Sequence, residues 1–299
     1  MIDAAGGVLA VALRFVAVTA TTGALGAWVF YRLVLPRLPG AFDDAARMAW
    51  RGLAVRVALV CLFALMLSAL ARLQVPDSVL PPVVGATGGA TQGTGSRPAL
   101  LAQFTVAVLG SMMITFSWRR GSWHALAADA CLVALALIAP ALAHAGVSPE
   151  LRIVAYTVDF AHGAAAGAWV GALALLTVLV RRERVHPDGA ARSAALFAAF
   201  HPVALVAAPT VFVTGLATAW LRMGVPEGIA NSTYSGLFVA KLLLAGVVGY
   251  FGAGHSKLVT RRMAVVTPGA VGRTLAAEVA FALVVLIITA VLVGTPPIG

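Results

Sequence analysis

Asp159 and His162 stand three residues apart inside a long apolar run, Asp159-Phe160-Ala161-His162-Gly163-Ala164-Ala165-Ala166-Gly167-Ala168-Trp169-Val170-Gly171. At that spacing a helix puts both on one face. A carboxylate beside an imidazole suits several transition metals. An ionisable group within a membrane helix is costly, and it marks either a functional site or an ion pair. Gly163, Gly167 and Gly171 recur every fourth residue, a spacing that lets a second helix come close.

The elements that must position this pair are membrane helices. The chain has 299 residues, of which 61% are hydrophobic and 11% charged. Its mean hydropathy is +0.97. A soluble domain carries far more charge, and apolar runs of about 20 residues read as transmembrane helices. The expected fold is all-α and polytopic, with about eight transmembrane helices: 8–35, 53–73, 99–118, 125–143, 153–180, 193–221, 234–255 and 274–293. The segment 74–98, rich in Gly, Thr and Pro, is expected to be an irregular outer loop. Pro202 and Pro209 are expected to bend the sixth helix and to free carbonyls that line a cavity.

The net charge of +10 does not point to nucleic acid, because the basic residues alternate between loops. Arg32, Arg37, Arg47 and Arg51 share one loop region, and Arg119 with Arg120 another. Arg181, Arg182, Arg184 and Arg192 share a third, and Lys257, Arg261, Arg262 and Arg273 a fourth. The intervening regions hold only Arg72, Arg97, Arg152 and Arg222. This is the positive-inside pattern, and it places both termini on the outer, periplasmic side. No Lys or Arg precedes Arg14, so a signal peptide's basic region is missing and the first helix reads as retained. Cys61 and Cys131 form no metal-binding spacing and read as packing residues.

An internal repeat is expected, with residues 1–147 as a first four-helix unit and 148–299 as a second. Gly26-Ala27-Trp28-Val29 recurs as Gly167-Ala168-Trp169-Val170. Leu126-Ala127-Ala128-Asp129 recurs as Leu275-Ala276-Ala277-Glu278, and Ala102-Gln103 aligns with Ala240-Lys241. Four helices per unit preserve orientation, so the two units run parallel. Val18 and Thr21 occupy the positions matching Asp159 and His162. The titratable pair therefore belongs to the second unit alone.

From the outer side, Asp159 is expected in the outer third of its helix and His162 near the midplane. Lys241 or Arg14, at similar depth, would neutralise Asp159. His144 would sit at the outer mouth and His201 toward the inner side, both as candidate metal ligands with His162 and Asp159. Asp129, Glu278 and Arg56 would form an inner layer, either a salt-bridge network or an exit path. His124, His186 and His255 fall at inner boundaries and read as solvated. Nucleophile constellations and phosphate loops are absent from the sequence.

His162 through Gly171, Thr214-Gly215-Leu216 with Trp220-Leu221, Thr233-Tyr234-Ser235-Gly236 with Lys241-Leu242-Leu243, and Glu278 with Pro296-Pro297 together resemble the copper-resistance protein D (CopD) family, from about Ala141 onward. Gly171-Ala172 replaces the usual Gly-Gly after the tryptophan, and no periplasmic copper-binding domain is fused. The resemblance implies a copper permease of the bacterial inner membrane, not an enzyme, working with a separate CopC-like copper-binding protein. Two other functions fit the residues. His162 and His201, on consecutive helices, could ligate a haem b in an electron carrier. The chain could also be a scaffold for a copper chaperone or for oxidase assembly.

Overall fold

A computed structural model describes residues 2–38, 42–74, 83–84, 90–91, 96–120, 122–141, 149–223, 233–260 and 268–293. Helix α1 covers Ile2–Val29 and continues through a π turn, Phe30–Val34, and a 3-10 turn, Leu35–Arg37. Helix α2 is Asp44–Gln74, α3 Ser96–Arg120 and α4 Ser122–Ala141. Helix α5 spans Arg152–Glu183, with a π turn at Gly167–Gly171 inside it. Helices α6, α7 and α8 are Gly189–Met223, Thr233–Thr260 and Pro268–Leu292. Between α2 and α3, strands β1 (Val83–Val84) and β2 (Ala90–Thr91) pair antiparallel.

Seven of these helices (α1, α2, α3, α5, α6, α7 and α8) are long and apolar enough to cross a membrane. The chain is a multi-pass membrane protein. The expected eighth span differs: the apolar part of α4, His124–Pro140, falls short of that length, and residues 142–148 after it lie outside the described set. Outward faces are apolar, as contact with lipid tails requires. Val60 and Phe63 on α2, Val206 and Val213 on α6, and Leu243 on α7 are exposed.

Lipid tails are as apolar as leucine, so helices associate through close fit rather than through water exclusion. Helix α5 shows this best. Of its most apolar window, 61% is buried, against 11% for α7, so α5 is a central helix and α7 a peripheral one. Helices α1 to α4 pack in sequence, α4 returns to α1, and α1 also packs on α8 and on the π turn of α5.

The contact between α1 and α5 is backbone on backbone. A Cβ on Gly26 would stand 2.1 Å from the Gly171 carbonyl carbon, and one on Gly171 would stand 2.2 Å from the Thr22 oxygen. One on Gly167 would stand 2.6 Å from Leu25 Cβ. Gly163 departs from the expectation for this glycine series, because nothing lies within 4 Å of its Cβ position. It opens onto a cavity instead.

Both cysteines are free and pack over glycines, Cys61 over Gly23 and Cys131 over Gly110. Helix α6 runs on through Pro202 and Pro209 without a break in the helix.

Candidate functional site

A cavity of about 290 Å³ lies among α1, α2, α3, α5, α6, α7 and α8, with the end of α4 at its edge. Asp159, His162, Arg14 and Lys241 all line it. Four of the residues singled out in the sequence thus share one space. The remaining candidates do not line it: Asp129, Glu278, Arg56 and His201 lie elsewhere, and His144 lies outside the described residues.

His162 is held by α6. Its Nδ1 is 3.1 Å from the Val211 carbonyl oxygen and 3.1 Å from Thr214 Oγ1. A carbonyl only accepts, so Nδ1 carries the proton and donates it. The imidazole lone pair then lies on Nε2, the tautomer a metal ligand needs. Thr214 Oγ1 in turn donates to the Thr210 carbonyl, so its own lone pairs face Nδ1.

Gly215 makes room for the ring. A Cβ there would stand 3.3 Å from His162 Cε1. The Thr214-Gly215 pair thus has a physical role, one residue bonding the imidazole and the next clearing space for it. Val211 is not one of the carbonyls that Pro202 and Pro209 release, which are four residues upstream at Ala198 and Leu205. The carbonyl at the cavity is an ordinary helical one with a second lone pair.

Asp159 accepts a hydrogen bond from Thr218 Oγ1 at 2.7 Å. Val211, Thr214, Gly215 and Thr218 thus form one face of α6, at three- and four-residue intervals, against the Asp159–His162 face of α5. Of the two cations expected to neutralise Asp159, Arg14 makes no ion pair among the described residues. Lys241 lines the same cavity from α7. Trp169 and Phe212 also line the cavity, their rings 6.2 Å apart.

His201 is ten residues before Val211, so it lies about 15 Å along α6 from the level of His162. The sequence reading put the two within one to two turns. Nearly three turns separate them, which is too far for both rings to reach one haem iron across neighbouring helices.

The inner layer also differs from expectation. Asp129 is paired with Arg32, not with Arg56. Arg32 Nε lies 3.0 Å from Asp129 Oδ1, its Nη2 meets Oδ2, and Trp28 Nε1 donates to Oδ1 at 2.7 Å. Arg56 is exposed. Glu278 is 1% exposed and lies beside Gly252. A further cluster went unseen in the sequence: Glu183 accepts from Arg192 Nη1 at 3.0 Å and from Trp50 Nε1 at 3.2 Å, with Arg192 over the Phe42 ring. His186 is exposed, as expected. His124 is half-buried beside Phe116 rather than solvated. The side chain of His255 lies outside the described set.

Arg72 and Gln103 also line the cavity, and sequence reasoning gave neither a role. Arg72 occupies the last turn of α2. Its signal was the four-residue spacing from Ser68 on one face. Gln103 was visible only as the residue aligned with Lys241. Among the described residues no three His, Cys, Asp or Glu side chains gather in metal-binding proximity. Of those types, His162 and Asp159 line the cavity.

Residues 194–292 match the family model described as Copper resistance protein D. That stretch takes in most of α6, all of α7 and α8, and hence Val211, Thr214, Gly215, Thr218, Lys241 and Glu278. Asp159 and His162 precede it. Over 160 residues, or 51% of its length, the chain is 32% identical to the copper transport protein CutJ of Bacillus subtilis (strain 168). The aligned part spans 27% of that relative's own length. No solved structure matches the chain.

Proposed function

We propose, from the chain's kinship with the copper-resistance protein D family, that it is a copper permease of the bacterial inner membrane. Copper passes from periplasm to cytoplasm by way of His162 and Asp159. The observation that carries this reading is the bond from His162 Nδ1 to the Val211 carbonyl. It sets the tautomer with Nε2 as the ligating atom, on a residue that lines an intramembrane cavity. The acceptor comes from the stretch that matches the copper-resistance family, so the part of the chain with family kinship positions the imidazole. Asp159, oriented by Thr218, supplies the negative charge that lowers the cost of a cation at this depth.

Transport rather than enzymatic turnover fits a cavity with two donor side chains. The periplasmic copper donor is a separate CopC-like protein, and both termini lie on the periplasmic side. The chain is built as two parallel four-helix units, 1–147 and 148–299. This arrangement is supported by matched positions meeting matched fates. Gln103 and Lys241 both line the cavity. Trp28 bonds Asp129, while Trp169 and Glu278 both lie against Gly252. His144, before α5, would receive copper at the outer mouth, and His201 would pass it on toward the inner end of α6.

The test is copper accumulation in cells expressing the chain at matched membrane levels. His162→Ala is expected to abolish the accumulation that the wild type confers. Accumulation equal to wild type would defeat the proposal.

A further inference from the structure

The cavity has a second pole, made by the first half of the chain. Helices α1, α2 and α3 bring Arg14, Arg72 and Gln103 to its wall. Ser68 Oγ donates to the Leu13 carbonyl at 2.8 Å. That bond joins α1 to α2 next to Arg14 and one turn before Arg72, and both arginines line the cavity. Neither makes an ion pair among the described residues.

Gln103 is 3% exposed, and its Oε1 has no hydrogen-bond partner. Buried polar groups are normally satisfied, and one that is not calls for an explanation. Counting Lys241, three cations line the cavity against the single carboxylate of Asp159. Two half-buried like charges on the wall of a cavity that also holds an unsatisfied amide are unfavourable on their own and are relieved by an anion. The guanidinium fork fits the oxygens of phosphate, and either end of the amide can be turned to it. Much of the remaining wall is apolar, with Leu286 among it, which leaves room for an acyl chain.

We propose that Arg14, Arg72 and Gln103 form an oxyanion site in this cavity. It takes a phosphate, either that of an anionic lipid headgroup or the free ion. The proposal does not depend on copper transport, and its test contains no copper.

The full chain, purified in neutral detergent, is titrated separately with phosphatidylglycerol and with inorganic phosphate. Lipid retention is read by native mass spectrometry, phosphate binding by calorimetry, and stability by thermal melting. The wild type is expected to retain one phosphatidylglycerol and to melt higher with it. In Arg14→Gln and Arg72→Gln, retention is expected to fall roughly tenfold, the loss of a charge-assisted hydrogen bond. Their melting without ligand is expected to be unchanged or higher, because a repelling charge is gone. Arg152→Gln, at the exposed start of α5, behaves as wild type. If inorganic phosphate alone shows the same arginine dependence, the occupant is the free ion. Binding of neither probe by the wild type, or retention equal in wild type and arginine variants, would overturn the site. So would a lower ligand-free melting temperature in both arginine variants, which would make the pair structural.

Discussion

Gly215 of α6 faces the imidazole of His162 so closely that a Cβ on it would stand 3.3 Å from Cε1. The ring's hydrogen-bond partners, Val211 and Thr214, are one turn and one residue before that glycine. One turn of α6 therefore both holds and admits the imidazole. Gly215→Ala would ask the ring to give by a few tenths of an ångström, while better helix propensity offsets part of the strain. It is expected to leave thermal stability close to wild type and to lower copper accumulation. Gly215→Leu, which fills the ring's place, is expected to abolish accumulation. Melting in detergent and copper content of cells check both. Full accumulation with Gly215→Leu would show that the ring's position is irrelevant.

Gly171 of α5, with Gly26 facing it from α1, differs in role from Gly163, although the sequence presents the α5 glycines as one series. Gly26→Ala and Gly171→Ala each place a Cβ against backbone at 2.1 Å and 2.2 Å. Backbone cannot swing aside, so each is expected to destabilise by about 1–3 kcal/mol, the range of overpacked cores. Gly163→Ala points into open cavity space and is expected to leave stability unchanged. Thermal or denaturant unfolding of the three variants tests the ranking, and equal losses at all three positions would contradict it.

Asp129 joins α4 to α1 through Arg32 and Trp28. Asp129→Ala strands a cation and an indole N–H. It is expected to destabilise by about 1–3 kcal/mol, at the lower end because the pair's side chains are 34% and 25% exposed. Arg32→Ala together with Asp129→Ala is expected to lose less than the two single changes summed. A double-mutant cycle on unfolding measures the coupling. Strict additivity would mean that the pair contributes nothing.

Much of this architecture was legible in apolar runs. Each expected helix has a counterpart whose apolar centre coincides. The ends differ because hydropathy finds only the lipid-buried part. Helix α2 begins at Asp44 rather than Leu53, since Arg47 and Arg51 break the apolar run but not the backbone hydrogen bonds. The π turns in α1 and α5 left no compositional trace, because they are a change in hydrogen-bond register.

At the site, Asp159 and His162 stood out because titratable groups are rare in apolar helices. Their partners did not. Thr214, Thr218 and Val211 are ordinary residues for a membrane helix, and only the packing of α6 on α5 gives them a role. Asp129 was expected in a layer with Arg56, and it meets Arg32 instead. Depth ranks residues along a helix, but rotation about the axis decides which of Arg32 and Arg56 faces inward.

Copper uptake by the purified chain in proteoliposomes tests the central claim most directly. Radioactive copper is supplied outside, and wild type is compared with His162→Ala and His201→Ala at equal protein density. Wild-type vesicles are expected to accumulate copper above protein-free vesicles, His162→Ala to fall to the protein-free level, and His201→Ala to lose less than His162→Ala. Uptake by His162→Ala at the wild-type rate would contradict the account.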